Sequence, residues 1–453
     1  MKSNFLSVAF SFYLMSHLSA QAWEGRDASF PYSLWGESVY AINDSVAWTW
    51  GIDLDQNGLN TLEKNVISKT KDKGLSWYNV VSPFNSLSFV TSICALSYDT
   101  AWVTFASFAD INDPEPSGNK VMMTTDGGFH WTQVNVSVDV FVDFIYMWNA
   151  MEGIVVGDPD TLGFEIYQTL DGGETWNRIL KQPESKPDEY LYKDNYAIRG
   201  NELWFATTTG RIFHTDSKGS AWDVMESPLT GHFVEIMNVD DDGNIYLVYN
   251  QYFVNSTSYE YILFRKDAGS GQWVNVTQPN AAFIYDLFPV PQTDAIIRTI
   301  YSDSFRTQIS YDQGTNWMDI DSINRATYLS FYDPNIGYAA QANWASDPSK
   351  TLVYRYVGSP LSGLLKNVPL SNASLHATPN PTSGETSISL QDITPGQYWI
   401  LVHDISGNLK YKVDLFAVDI LEEKLDLGSL PAGVYTITVS SNQGVATTKI
   451  TKQ

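Results

Sequence analysis

Thr169-Leu170-Asp171-Gly172-Gly173-Glu174-Thr175-Trp176 is a phrase to which this chain keeps returning. Clean copies stand at Thr70-Lys71-Asp72-Lys73-Gly74-Leu75-Ser76-Trp77 and Ser310-Tyr311-Asp312-Gln313-Gly314-Thr315-Asn316-Trp317. A fourth, Thr124 to Trp131 around Asp126 and Gly128, carries His130 where Ser or Thr is usual. Two degenerate copies end at Trp222 and Trp273, each read with one extra residue around its glycine. Successive tryptophans lie 54, 45, 46, 51 and 44 residues apart, the period of one four-stranded propeller blade. Asp followed two residues later by Gly is turn chemistry: the carboxylate accepts backbone N–H bonds inside the loop and Gly supplies a corner at positive φ. The Ser/Thr and the Trp then lie on the strands that the turn joins, and a Trp repeated there is an apolar plug between neighbouring blades.

The phrase resembles the Asp-box (BNR) repeat, S/T-x-D-x-G-x-T-W, of sialidases, sortilin-like receptors, some glycoside hydrolases and photosystem II assembly-factor propellers. The resemblance covers roughly residues 25 to 360 and implies an all-β propeller. In those families the box lies away from the active centre, which implies a structural role for Asp72, Gly74, Trp77, Asp126, Gly128, Trp131, Asp171, Gly173, Trp176, Asp312, Gly314 and Trp317, and names no activity. Short runs such as Val46 to Gly51, Thr100 to Phe105, Gly153 to Gly157 and Glu202 to Ala206 precede the boxes with the alternation of strands. The pattern begins again at Tyr328 to Phe331 and Ile336 to Ala340, then ends at Leu352 to Tyr356 without a box. The expectation is seven blades over residues 23–360, about 48 residues each, the last having lost the phrase.

Lys2, the apolar Phe5 to Leu18 and the small-residue site Ala20-Gln21-Ala22 read as a secretory signal over residues 1–22. No other stretch approaches about 18 uninterrupted apolar residues, so no transmembrane segment is expected. Cys94 is the only cysteine, which rules out a disulfide within the chain and reads as a small buried hydrophobe. Polar residues over 361–374 read as a linker, and residues 375–453 as a second all-β unit. Its landmarks are Pro379-Asn380-Pro381 with Gly384, the turn from Asp404 to Gly407, Gly433 with Tyr435, and the closing Lys449 and Lys452. In that order they resemble the type A C-terminal sorting domain of the type IX secretion system of Bacteroidetes. That resemblance implies a small Ig-like β-sandwich, recognition by the type IX machinery, export across both membranes, and a secreted or cell-surface destination.

The net charge of −24, from 51 acids against 27 bases, argues against a nucleic-acid partner, because phosphate binding needs a concentrated positive field. A sialidase-like site would need three arginines gripping a carboxylate. None of Arg26, Arg178, Arg199, Arg211, Arg265, Arg298, Arg306, Arg325 and Arg355 stands in the R-I-P phrase that opens that family; Arg211-Ile212-Phe213 comes nearest, in the wrong blade. No histidines fall at metal-ligand spacing. Asp53, Asp55 and Asn57, followed by Gly58, match the first half of a calcium loop, but Lys64 stands where the bidentate Glu belongs. The stretch reads either as a hairpin loop without metal or as a weak calcium site; no other cofactor is expected. Asp240 to Asn244 reads as an acidic hairpin turn. Trp148, Trp344 and the stretch from Tyr252 to Tyr261 are left as candidates for an exposed ligand surface. The reading that results is a binding or scaffolding propeller for an extracellular protein or glycan, ahead of a runner-up, an extracellular glycosidase of sialidase-like type. Converging arginines or a close carboxylate pair at the central mouth would favour the runner-up, and a broad aromatic or featureless face would favour binding.

Overall fold

The computed structural model describes residues 21–453 apart from 30–33, 54–63, 81–87, 108–119, 135, 137–140, 181–183, 253–258, 279–282, 342–351, 359–360, 362–374, 392, 394–395, 405–408, 418–419 and 442–443. Its described elements are all strands. Before residue 361 they form seven four-stranded antiparallel sheets. The first strands of these sheets are Leu34–Ala41, Ser88–Ala95, Val142–Met147, Leu191–Arg199, Ile236–Val239, Phe283–Pro289 and Ala326–Asp333. Each touches the next, and the last touches the first, so they ring a central axis as the inner strands of blades 1 to 7.

The boxes occupy the hairpins between third and fourth strands, and one hydrogen-bond scheme recurs in them. In blade 3 the Thr169 hydroxyl donates to Asp171 Oδ1 (2.8 Å) and accepts from the Gly173 N–H (2.8 Å), while Asp171 also accepts from the Thr175 N–H (2.9 Å) and hydroxyl (2.5 Å). In blade 2 the ring of His130 replaces that last hydroxyl, Nδ1 lying 2.6 Å from Asp126 Oδ2, and in blade 6 the Asn316 amide does so at 2.7 Å. The conformation demands glycine: Gly74, Gly128, Gly173 and Gly314 have φ of 76°, 84°, 94° and 86°. At Gly128 a Cβ would lie 2.1 Å from Val80 Cγ1 of the preceding blade. The copy ending at Trp222 differs from the sequence reading. It has no extra residue; Thr215, Ser217 and Gly219 take the three key places, and the Ser217 hydroxyl accepts the Ala221 N–H (3.0 Å) where a carboxylate usually would. The copy ending at Trp273 keeps its extra residue, Asp267 accepting from Ser270.

Each box Trp packs into an apolar cluster shared with the preceding blade. Trp77 lies 6.0 Å, edge to face, from Tyr338 of blade 7. Trp131, Trp176, Trp222, Trp273 and Trp317 join the corresponding clusters around the ring. Inner-strand side chains add polar clasps between neighbours. Cys94 Sγ accepts the Met147 N–H (3.2 Å), Asn195 bonds Val234 and Met237, Asn238 donates to Leu287 O, Asp286 accepts the Leu329 N–H (2.7 Å), and Ser330 accepts the Ala41 N–H (2.9 Å).

Blade 7 explains its missing box. Its fourth strand is Trp23–Asp27, from the other end of the chain, paired antiparallel with Leu352–Tyr356 so that Trp23 faces Tyr356 and Asp27 faces Leu352. With the outer strand supplied from elsewhere, no hairpin follows the third strand and none is there to hold the phrase.

The tail forms two sheets around one apolar core, three strands (His376–Thr378, Glu385–Gln391, Ile420–Asp426) against four (Leu409–Ala417, Gly396–Asp404, Gly433–Ser441, Gly444–Lys452). Residues far apart in sequence meet here: the Asn380 amide donates to Lys449 O (2.7 Å) and accepts the Thr451 N–H (3.0 Å). The Tyr435 hydroxyl donates to Pro431 O (2.8 Å). Gly407 lies outside the described residues.

Candidate functional site

The ring of inner strands encloses a cavity of about 2010 Å³. Six of the seven inner strands break register against their partners, between Gly36 and Ser38, Val90 and Ser92, Val142 and Phe144, Leu191 and Tyr196, Ile284 and Asp286, and Ala326 and Tyr328. A bulge turns the following side chains and re-aims what faces the axis. The boxes mark one end of the ring, because their turns bond the loops that follow inner strands: Lys73 N–H to Ser45 O, Gly127 N–H to Asp99 O, Gly172 N–H to Met151 O. At the opposite end, where inner strands begin, the mouth is aromatic. Tyr285 stacks on Phe305 (5.5 Å) and contacts Phe283 (4.9 Å), Tyr301 contacts Phe305 (5.0 Å), and Tyr192 meets Phe233 (5.1 Å). Tyr192 and Tyr301 are exposed, and Arg325 lies over the Phe305 ring.

The arginines do not converge. Arg178 holds Asp160 and Glu165, Arg199 holds Glu202, and Arg306 holds Asp303 and Asp319. Arg26 and Arg355 share Glu24, Arg265 bonds Gln313, and buried Arg298 bonds Tyr261 and lies 4.0 Å from the Trp317 ring. Arg211 is sealed against Glu189, which also accepts from the Thr207 and Thr209 hydroxyls. Among the described residues only Arg199 and Arg325 line the channel. Burial pushes the carboxyls of Asp143 and Asp158 up, Asp158 to about 6, but neither lines the channel.

Within the channel, Asp194 accepts from the Ser92 hydroxyl (2.8 Å) and the Ser38 hydroxyl (3.4 Å), and Tyr40, Tyr146 and Tyr196 line the same cavity. Asp286 is half-buried in the channel wall, and burial pushes its carboxyl up to about 7 despite N–H bonds from Leu329 and Leu287. The sequence singled out none of these: Ser, Tyr and Asp on short strands look alike until bulges and the closed ring decide which face the axis.

Of the calcium residues, Asp53 ends a strand, and Asp55 and Asn57 lie outside the described residues, as does Trp344. No group of three or more His, Cys, Asp or Glu able to hold a metal occurs among the described residues. Asp240 closes a hairpin turn, accepting the N–H groups of Asp242 and Asn244. Trp148 lines the channel, 5.3 Å from Tyr146, and Tyr261 is buried. Burial pushes the Cys94 thiol up to about 12. No described helix is long and apolar enough to cross a membrane.

Residues 117–278 match the family model of the photosynthesis system II assembly factor YCF48, and residues 377–453 match that of the secretion system C-terminal sorting domain. The chain thus joins a YCF48-like BNR-repeat propeller fold to a secretion sorting tail. Among solved structures it is similar to YCF48 bound to D1 peptide, at 16% identity and TM-score 0.53, covering 76% of this chain and 99% of that one. YCF48 from Cyanidioschyzon merolae follows at 14% and 0.52, covering 74% and 98%. The GH74 xyloglucanase from Xanthomonas campestris is similar at 12% and 0.50, covering 82% and 60%. At these identities the likeness is one of fold. No curated protein sequence matches the chain.

Proposed function

We propose that the propeller is a secreted or surface-held binding module for an extracellular protein or glycan, exported by the type IX machinery through its C-terminal domain. The observation that carries this is the aromatic mouth formed by Tyr192, Phe233, Phe283, Tyr285, Tyr301 and Phe305. Exposed rings at a concave opening give large contact area at small entropic cost, the usual make-up of a recognition surface. The arginines that a carboxylate-gripping hydrolase would gather are held in local pairs with neighbouring carboxylates. A solved relative of this fold has a peptide bound, which supports a polypeptide ligand. The test is to probe peptide and glycan arrays with the propeller and with Tyr285→Ala and Phe305→Ala. Binding should fall at least tenfold in folded variants; undiminished binding would remove the mouth from the account.

A further inference from the structure

Asp194 marks a chemically distinct place inside the channel. The residue has φ of 58°, a left-handed conformation that side chains other than glycine, Asn and Asp seldom adopt. It lies in the irregular stretch of its strand between Leu191 and Tyr196, where such conformations often serve a site. Its two oxygens are engaged separately, Oδ1 by Ser92 of blade 2 and Oδ2 by Ser38 of blade 1. The carboxylate of blade 4 therefore reaches inward to inner strands that are not its neighbours.

Three phenol rings share its cavity: the charge of Asp194 acts on Tyr40 and Tyr196, and Tyr146 lies against Tyr196. Tyr146 and Tyr196 have centroids 6.0 Å apart at 61°, and Tyr40 is hydrogen-bonded to the Cys94 thiol. Burial raises all three phenols above their ordinary range, so they stay neutral donors and acceptors at any physiological pH. All three rings and Asp194 border the cavity.

A carboxylate among neutral aromatic rings attracts a cation: the carboxylate supplies charge, the ring faces add quadrupole attraction, and phenol oxygens accept N–H bonds. The wider channel has the same sign. Its described lining holds six carboxyl groups against three basic side chains; Glu152 is paired with Lys218, Asp303 with Arg306 and Arg199 with Glu202, and burial raises the carboxyl of Asp286 to about 7. A planar guanidinium prefers both oxygens of a carboxylate side by side, whereas a compact ammonium with three rotatable donors suits oxygens already bonded on two sides.

We propose that the channel pocket of Asp194, Tyr40, Tyr146 and Tyr196 receives the ammonium group of a lysine side chain on a partner polypeptide. This deepens the binding-module reading and rests on it.

The test is titration calorimetry on the full chain at pH 7 with N-acetyl-lysine methylamide, beside the norleucine analogue, which keeps the stem and lacks the charge. The lysine probe should bind saturably and the norleucine probe at least tenfold more weakly. Asp194→Asn should weaken the lysine probe at least tenfold while melting stays close to the parent. Should that variant fail to fold, Tyr146→Leu, which removes one ring of the pocket, should weaken it at least threefold. Equal affinity for the two probes, or an undiminished lysine affinity in a folded variant, overturns the proposal. In that case continued loss of array binding in Tyr285→Ala would leave the binding module standing without this pocket. Lysine binding with no array ligand at all would do the reverse.

Discussion

Asp321 accepts the backbone N–H of Trp23 at 3.0 Å, across 298 residues of sequence. The same oxygen accepts the Ala22 N–H at 2.9 Å, and the Trp23 indole donates to Thr307 at 3.0 Å. Trp23 is fully buried among Phe331, Tyr356 and Ile297, so the ring is fastened shut by the first described strand. Trp23→Ala should cost about 3 to 5 kcal/mol, read as a lower denaturation midpoint, whereas an equally large aromatic truncation at exposed Tyr301 should leave the midpoint almost unchanged.

Signal processing should respect that fastening. Ala22 is buried and its carbonyl accepts the Val357 N–H at 2.8 Å. Cleavage after Ala22, where Ala20-Gln21-Ala22 places small residues before the broken bond, gives up these contacts but keeps the bond from Trp23 to Asp321. Mass spectrometry of the exported protein should find Trp23 as the first residue; a chain beginning at Gln21 would contradict this.

Among box residues the cost of truncation should follow burial. Trp77 is 3% exposed against Tyr338, while Trp176 is only half-buried. Trp77→Ala should cost about 3 to 5 kcal/mol and Trp176→Ala less. Asp72→Ala, which strips the Thr70, Ser76 N–H and Ser76 hydroxyl partners from the turn, should lower the melting temperature without changing ligand affinity. Unchanged melting with lost binding would give the box a ligand role instead.

The fold class was legible because the box repeats at blade period and its chemistry is local: Thr169, Asp171 and Gly173 satisfy one another within a single hairpin. Distant pairings were not. Nothing near Leu352 to Tyr356 announces that Trp23–Asp27 completes its sheet, since a strand carries no address for a partner more than 300 residues away. The channel chemistry was hidden for a related reason. The irregular stretch from Leu191 to Tyr196, five steps set against the two from Thr207 to Phe205, decides whether Asp194 or its neighbour faces the axis, and such a slip of register cannot be read from alternation over so short a run. Ser217 was missed because a hydroxyl in the Asp position breaks the motif's spelling while keeping its acceptor.

Stability should depend on pH through Asp286. Burial raises its carboxyl to about 7 in the folded chain, against about 3.9 when unfolded. Between those values the fold binds the proton that the unfolded chain releases, so this contribution is complete below about pH 4 and is lost as pH rises through 7. Asp158, raised by burial to about 6, acts in the same sense. Glu189 acts oppositely. Burial opposes its ionisation, but hydrogen bonds from Arg211, the Lys186 N–H and two threonines outweigh that and hold it at about 2, so its contribution disappears as pH falls from about 4.5 through 2. Melting temperature should peak in mildly acidic buffer, and Asp286→Asn should flatten the decline between pH 5 and 8; an unchanged slope would contradict the assignment.

The tail should be separable. Its strands enclose their own core, and Asn380 fastens its opening turn to its last strand. Deleting residues 375–453 should leave the propeller's melting nearly unchanged but stop the chain in the periplasm, read by cell fractionation. Surface arrival of the truncated form would show that the export address lies elsewhere.

A binding mouth should hold its ligand without turning it over. The most direct measurement takes the strongest array ligand, holds it with excess propeller at pH 6 and pH 7.5, and recovers it by mass spectrometry after the affinity has been measured. The account predicts saturable binding that falls at least tenfold in Tyr285→Ala and a ligand returned at its original mass. A ligand returned as cleaved fragments, with cleavage abolished by a channel carboxylate variant, would contradict it and establish the glycosidase reading.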